Sequence, residues 1–341
     1  MSKLDELMKQ INKEFGDEVI HTGVSQYDYE RIPFTSPRLN FITYGGIPVG
    51  KLIEFYGEEH GGKTTTALDI VANYQNMKDS RTVLYIDAEN TLDAVWATKL
   101  GVDVDSMIIL NPTNQGAETI FEKTLQLIDT GEIGLVIIDS IGVMVSNQAL
   151  EKSVEDKTYG GIAMALTNFS KKAEMLCNKH KCTLIGINQL RDDMNSMYGG
   201  TTTTGGRAWK HNVAVRIEFR HGRFFDEKYK ELPRGCENPV GMFVMVAMSK
   251  NKTCPPSRKT GFYTIRHDIG VDYLYDLTDV AMKYGIIDKS GAWYSIYDPN
   301  QLDTEVAKLQ GIAAVYTYLE DPDNREILMG IEKFIENKIH Q

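Results

Sequence analysis

The chain has 341 residues, 42% hydrophobic and 25% charged, a balance that excludes a disordered or fibrous protein. No apolar run reaches the roughly 18 residues a membrane span needs. Met1–Phe15 mixes Asp5, Glu6 and Glu14 with lysines and lacks a signal-peptide core, so a cytoplasmic protein with no membrane partner is expected. The net charge of −10 excludes a surface basic throughout, so a nucleic-acid partner must be argued from local sites.

Leu4, Leu7, Met8 and Ile11 fall at helical spacing, predicting a short amphipathic helix over Leu4–Phe15. A helix this short is marginal alone, so it must dock on its own core or on a neighbour. Asp17–Arg31 is polar and reads as a linker. From Ile32 to Asp268 short apolar runs alternate with amphipathic stretches. The runs Leu52–Tyr56, Thr82–Ile86, Met107–Leu110, Leu135–Ile138 and Thr183–Ile187 predict parallel strands covered on both faces. Between them, Ala67/Ile70/Val71/Tyr74, Ala117/Ile120/Phe121/Leu125/Ile128 and Ile162/Leu166/Phe169/Ala173/Leu176 keep helical periodicity. Such alternation implies βαβ units with right-handed crossovers. Val213–His221, Val240–Met248 and Phe262–His267 read as antiparallel additions to the sheet. Beyond Val271 the pattern is mixed and helix-rich. The expectation is an α/β fold with a mainly parallel central sheet, divided into an N-terminal helix and linker (1–31), a core (32–270) and a small α+β C-terminal domain (271–341).

The four cysteines form no C-x-x-C pair. Cys177 and Cys182 flank His180, but they fall at the end of a helix and the start of a buried strand, where cysteine serves as a small core residue.

Gly57-Glu58-Glu59-His60-Gly61-Gly62-Lys63-Thr64 has phosphate-loop spacing, preceded by a strand and followed by a helix. Glycines let backbone N–H groups wrap phosphates, the helix N-terminus adds positive potential, and Lys63 reaches the β/γ-phosphates. The Thr64 hydroxyl coordinates Mg²⁺, and Thr65 completes the ATP contacts. Asp139 ends the apolar strand Leu135–Ile138, the position from which a carboxylate holds Mg²⁺ through water. Glu89, just past the strand Thr82–Ile86, is the candidate to orient or deprotonate the attacking water.

With these residues placed, nearly the whole chain resembles the RecA-type DNA recombinases. The resemblance rests on Thr35–Asn40, Gly45–Gly57, Tyr85–Asp103, Ile187–Arg191, Thr202–Lys210, Lys250–Lys252 and Gly291–Ser295, all in the family's order. It implies a RecA-like phosphate-loop core. Glu89 matches the family's catalytic glutamate, and Trp96 an aromatic stacked on adenine. Asp93 matches a carboxylate on the adenine amino group, and Gln189 the γ-phosphate sensor that opens the second DNA loop. Lys250 and Lys252 match lysines reaching the neighbouring subunit's ATP, which would put the site at an interface with the Met1–Phe15 helix docked on the adjacent protomer.

The resemblance also implies DNA contacts from two loops, Glu151–Gly161 and Arg191–Arg207. Tyr159 and Tyr198 are surfaces for bases, Gly160, Gly205 and Gly206 allow close backbone approach, and Lys171, Arg191 and Arg207 supply charge. The implied activity is ATP-dependent strand exchange by a helical homo-oligomeric filament on single-stranded DNA. Its partners are homologous duplex DNA together with single-strand-binding and mediator proteins. A RecA-fold ring ATPase or helicase, and an ATP-gated DNA-binding regulator, are the alternatives. The chain departs from the pattern at His60 and Gly61, where serines are usual, at the acidic Asp192 and Asp193, and at Met164, where an arginine is common. It ends at Gln341 without a long acidic tail, which predicts weaker self-inhibition. These departures suit a bacteriophage-encoded relative working in the bacterial cytosol as well as a cellular one.

Overall fold

The computed structural model describes residues 2–15, 29–151, 161–192, 200–233 and 235–339. Two compact units are distinguished, Met1–Glu30 and Arg31–Gln341. In the first, helix α1 (Lys3–Phe15) carries Asp5 and Glu6 in its first turn and Lys13 in its last, charges that complement the helix dipole. Leu4 and Leu7 on its apolar face are 64% and 52% exposed.

The second unit opens with a small ribbon, β1 (Arg31–Ile32) against β2 (Ile47–Pro48), around helix α2 (Pro37–Thr43). Ser36 caps α2 by accepting from Leu39 N–H, and Pro37 takes the first helical position, where its missing N–H costs nothing. The main alternation follows: β3 (Leu52–Gly57), α3 (Lys63–Gln75), β4 (Thr82–Asp87), α4 (Ala94–Lys99), β5 (Ile108–Leu110), α5 (Ala117–Asp129), β6 (Ile133–Asp139), α6 (Asn147–Glu151), α7 (Gly161–His180) and β7 (Thr183–Asp192). Then come β8 (Thr201–Thr203), α8 (Gly206–Asn212), β9 (Val215–Phe225), β10 (Gly241–Asn251), β11 (Thr260–Arg266) and β12 (Gly270–Val271).

One sheet runs β12-β11-β10-β9-β3-β7-β6-β4-β5, with β8 paired to β7. Its two apolar faces are covered separately. Ile53, Phe55, Val83 and Tyr85 face α3, whereas Leu84, Ile86, Val136 and Ile138 belong to the cluster built with α5 and α7. Every residue of β3 and β6 is buried, the consequence of strands covered on both faces. Cys177 and Cys182 lie fully buried in the second cluster, as core residues.

Two expectations are corrected. The strand beginning near Val213 is not a purely antiparallel addition, because β9 runs parallel to β3 and only its other edge pairs antiparallel with β10. Alternating apolar residues mark a strand but do not set its direction, which is decided by the crossover before it. The run Met107–Leu110 is also not covered on both faces. Met107 is buried, but Ile108 and Ile109 are 42% and 41% exposed, since β5 is the sheet edge with β4 as its partner.

The C-terminal part adds α9 (Tyr273–Lys283), a three-stranded antiparallel sheet of β13 (Ile287–Ser290), β14 (Trp293–Asp298) and β15 (Gln301–Gln310), then α10 (Ile312–Glu320) and α11 (Arg325–Ile339). It has its own core, including Leu277, Ile287, Ile296, Leu319 and Ile335. No helix among the described residues is long and apolar enough to cross a membrane.

Candidate active site

Strand β3 leaves the sheet at Gly57 with φ 150°, and a Cβ there would lie 1.9 Å from the Phe219 carbonyl oxygen of β9. Only glycine lets the chain turn out against its neighbour at this point. The loop then turns through His60, at φ 56°, and Gly62, at φ 87°, to start α3. Lys63 is buried and donates from Nζ to the carbonyls of Gly57, at 3.2 Å, and Glu58. Burial pulls its pKa below the ordinary lysine value, against the carboxylates of Asp139 and Glu89, which act to raise it.

Asp139 closes β6 and is 4% exposed. Its Oδ2 accepts from Thr64 Oγ1 at 2.8 Å and from the Tyr85 hydroxyl at 2.9 Å. Burial pushes its pKa up, partly offset by those two donors, and the nearby charges of Glu89 and Asp87 push the same way as burial. A hydroxyl beside a desolvated carboxylate is an oxygen donor set suited to a hard divalent cation such as Mg²⁺.

Glu89, past the end of β4, is half-buried. Its Oε1 accepts from Ser140 Oγ at 2.6 Å and from Gln189 Nε2 at 3.2 Å. The functional side chains therefore gather from the carboxyl ends of four parallel strands, β3, β4, β6 and β7, where ligands of open α/β sheets bind. They border a cleft of about 820 Å³, lined by Glu59–Thr65, Glu89, Trp96, Asp139 and Gln189. Its far wall is His221, Phe224, Ile265 and His267. His267 Nδ1 lies 3.0 Å from the Pro239 carbonyl, which can only accept, so that nitrogen carries the proton.

Gly57, Glu58 and Asp93 are not among the residues lining the cleft. Asp93 caps α4, its Oδ1 accepting from the N–H groups of Val95 at 2.9 Å and Trp96 at 3.0 Å, and so sets the helix that carries Trp96. Lys250 and Lys252 are also outside the lining. Lys250 Nζ donates to the carbonyls of Lys210 and His211 at 2.7 Å each, and Lys252 Nζ to that of His211 at 3.1 Å. Both thus sit on the carboxyl end of α8. Burial, followed by the positive charges of Lys252 and Arg216, brings the Lys250 pKa down to about 8.

Of the DNA candidates, Tyr159, Gly160 and Tyr198 lie outside the described residues, as does Asp193. Lys171 and Arg207 are exposed, and Met164 is 71% exposed. Gly205 (φ 110°) and Gly206 (φ 68°) lead into α8, and a Cβ on Gly205 would lie 2.3 Å from a Leu166 methyl. Arg191 is exposed but donates from Nη2 to the Gly142 carbonyl.

Ser140, Tyr85, His221, Phe224 and His267 were not anticipated. Ser140 could have been found from its place next to Asp139. Tyr85 reaches Asp139 from inside β4, while His221 and Phe224 reach the cleft from β9 and His267 from just past β11, and only the sheet order brings them there.

Comparison with known proteins agrees with this geometry. The RecA N-terminal domain family matches residues 2–272, and the RecA C-terminal domain family matches residues 275–340. The RecA protein of Streptomyces rimosus is 36% identical over 98% of this chain and 85% of its own length. Those of Fusobacterium nucleatum and Thermotoga maritima are 34% and 33% identical, over 97% and 99% of this chain and 83% and 91% of theirs. With both domain families matched in order and relatives similar over nearly the whole of this chain, the chain belongs to the RecA family of recombinases, nucleotide-using enzymes whose ATP hydrolysis depends on DNA.

Proposed function

We propose that the cleft binds ATP with Mg²⁺, and that the chain assembles in the cytosol as a helical filament on single-stranded DNA, pairing that strand with a homologous duplex and exchanging strands. The observation that carries this reading is the convergence of Lys63, Thr64, Asp139, Glu89 and Gln189 on one cleft. Lys63 exchanges its loop carbonyls for the β- and γ-phosphates. Thr64 would hold the cation directly and Asp139, whose Oδ2 lies 2.8 Å from the Thr64 hydroxyl, through water. Bound Mg²⁺ supplies charge neutralisation at the phosphoryl oxygens. Glu89 orients the attacking water and accepts its proton, Gln189 reads the γ-phosphate, and Trp96 stacks on the base. Lys250 and Lys252 serve the neighbouring protomer's nucleotide, and Lys171, Arg191, Arg207 and the loop tyrosines grip DNA. Base pairing supplies sequence choice.

The test is exchange between circular single-stranded and linear duplex DNA with ATP and Mg²⁺. Joint molecules are expected from the unmodified protein and none from Lys63→Ala. Rings by electron microscopy, with no exchange, would point to a motor instead.

A further inference from the structure

Gln189 and Arg191 are two residues apart on β7, so their side chains leave the same face of the strand. Both fasten the turn after β6. Gln189 holds Glu89 Oε1, to which Ser140 Oγ also donates. Arg191 donates to the carbonyl of Gly142, two residues beyond Ser140. The turn between is a single 3₁₀ turn, Ile141–Val143, and Gly142 packs on β7, a Cβ there falling 3.6 to 3.7 Å from Asn188 and Gln189. The turn is therefore held at both ends by β7, and Glu89 Oε1 already accepts from two donors. On the ATP reading above Gln189 leaves that oxygen for the γ-phosphate, and Ser140 is then the donor that still fixes how the Glu89 carboxylate faces.

We infer that the Arg191–Gly142 contact and the Ser140–Glu89 hydrogen bond form a gate that keeps hydrolysis low until DNA binds. The inference rests on the ATP and DNA reading above. A DNA phosphate is charged and accepts from a guanidinium more strongly than a neutral carbonyl does, so it takes Arg191 from Gly142. The 3₁₀ turn is then tied at one end only, Ser140 moves off, and the Glu89 carboxylate is free to turn to the attacking water. Ser140 is a positioning residue here, acting through Glu89.

The experiment measures steady-state ATP hydrolysis by the full chain, with and without a long oligothymidylate, for Arg191→Gln, Arg191→Lys, Ser140→Ala and Ser140→Thr. Arg191→Gln and Ser140→Ala are expected to raise the DNA-free kcat about ten- to a hundredfold, the factor one charge-assisted hydrogen bond is worth, with the KM for ATP unchanged. Arg191→Lys keeps one donor and is expected to raise the DNA-free rate less than Arg191→Gln, whereas Ser140→Thr keeps its hydroxyl and is expected to behave like the parent. An arginine that only bound DNA would leave the DNA-free rate untouched, and a merely structural serine would lower it. Either result, in a background where the unmodified protein is stimulated by DNA, overturns the gate alone. An unmodified protein with equal rates in both conditions overturns the ATP–DNA reading, and the gate with it. Binding of a fluorescent ATP analogue reports folding, and Ser140→Ala, which removes one oxygen, carries the test if Arg191→Gln binds none.

Discussion

Glu89 and Ser140 are 51 positions apart in the chain yet 2.6 Å apart in space, and the chemistry of the site turns on contacts of this kind. The phosphate loop was legible because its parts are contiguous: glycines, lysine and threonine must follow one another for one backbone turn to wrap a phosphate. Glu89 and Asp139 were legible because each ends an apolar strand. Ser140 as a donor to Glu89, and the His221–Phe224–His267 wall, depend on which strands lie side by side, which no local pattern records. Two predictions belong at this scale. Glu89→Gln keeps the size and one acceptor but loses the base, so hydrolysis should fall about 10²- to 10⁴-fold while the Kd for a fluorescent ATP analogue stays near that of the parent. A matching loss of nucleotide affinity would refute the role. Gly57→Ala drives a methyl into the Phe219 carbonyl, 1.9 Å from its ideal position, at a φ side chains rarely adopt. It should cost about 3 kcal/mol of stability and abolish nucleotide binding, seen as a lowered urea midpoint and a flat titration.

Elements were read well where burial on both faces produced unbroken apolar runs, as in β3 and β6. Reading failed where hydrophobicity had another cause. β5 is apolar but sits at the edge, and β9 mediates between the parallel and antiparallel halves of the sheet, a role its sequence pattern does not encode. That mediation also explains how Lys250, at the far end of β10, and Lys252, just past it, come to lie under the carboxyl end of α8. The Lys250 pKa of about 8 makes this arrangement sensitive to pH. A lysine with a depressed pKa is charged below that value and neutral above it. If its charge serves a neighbour's triphosphate, the kcat/KM for ATP, which reports groups of the free enzyme, should decline above about pH 8. Lys250→Arg stays protonated throughout and should move that alkaline limb upward by a unit or more, about as far as the next titrating group allows. Superimposable profiles for parent and variant would remove Lys250 from the pH dependence.

At the scale of the molecule, helix α1 exposes Leu4 and Leu7 beside the less exposed Met8 and Ile11. A 13-residue helix gains little from backbone propensity alone, so an apolar face of this kind is best stabilised by burial against another surface. On the filament reading proposed above, that surface would belong to the next copy of the chain, and nucleotide held between copies would add a second contact. The two contacts should act together, since each raises the effective concentration of the other. Burying two leucines is worth about 3 kcal/mol or more, roughly a hundredfold in an association constant. Leu4→Ser with Leu7→Ser should therefore shift the onset of assembly, followed by light scattering with single-stranded DNA, Mg²⁺ and a non-hydrolysable ATP analogue, to about a hundredfold higher protein concentration. The affinity of the isolated subunit for nucleotide should not change, because the cleft is built from residues of the second unit. Assembly at the parent's concentration would mean that α1 has no part in the contact, whereas joint loss of assembly and nucleotide binding would mean that it supports the subunit's own fold.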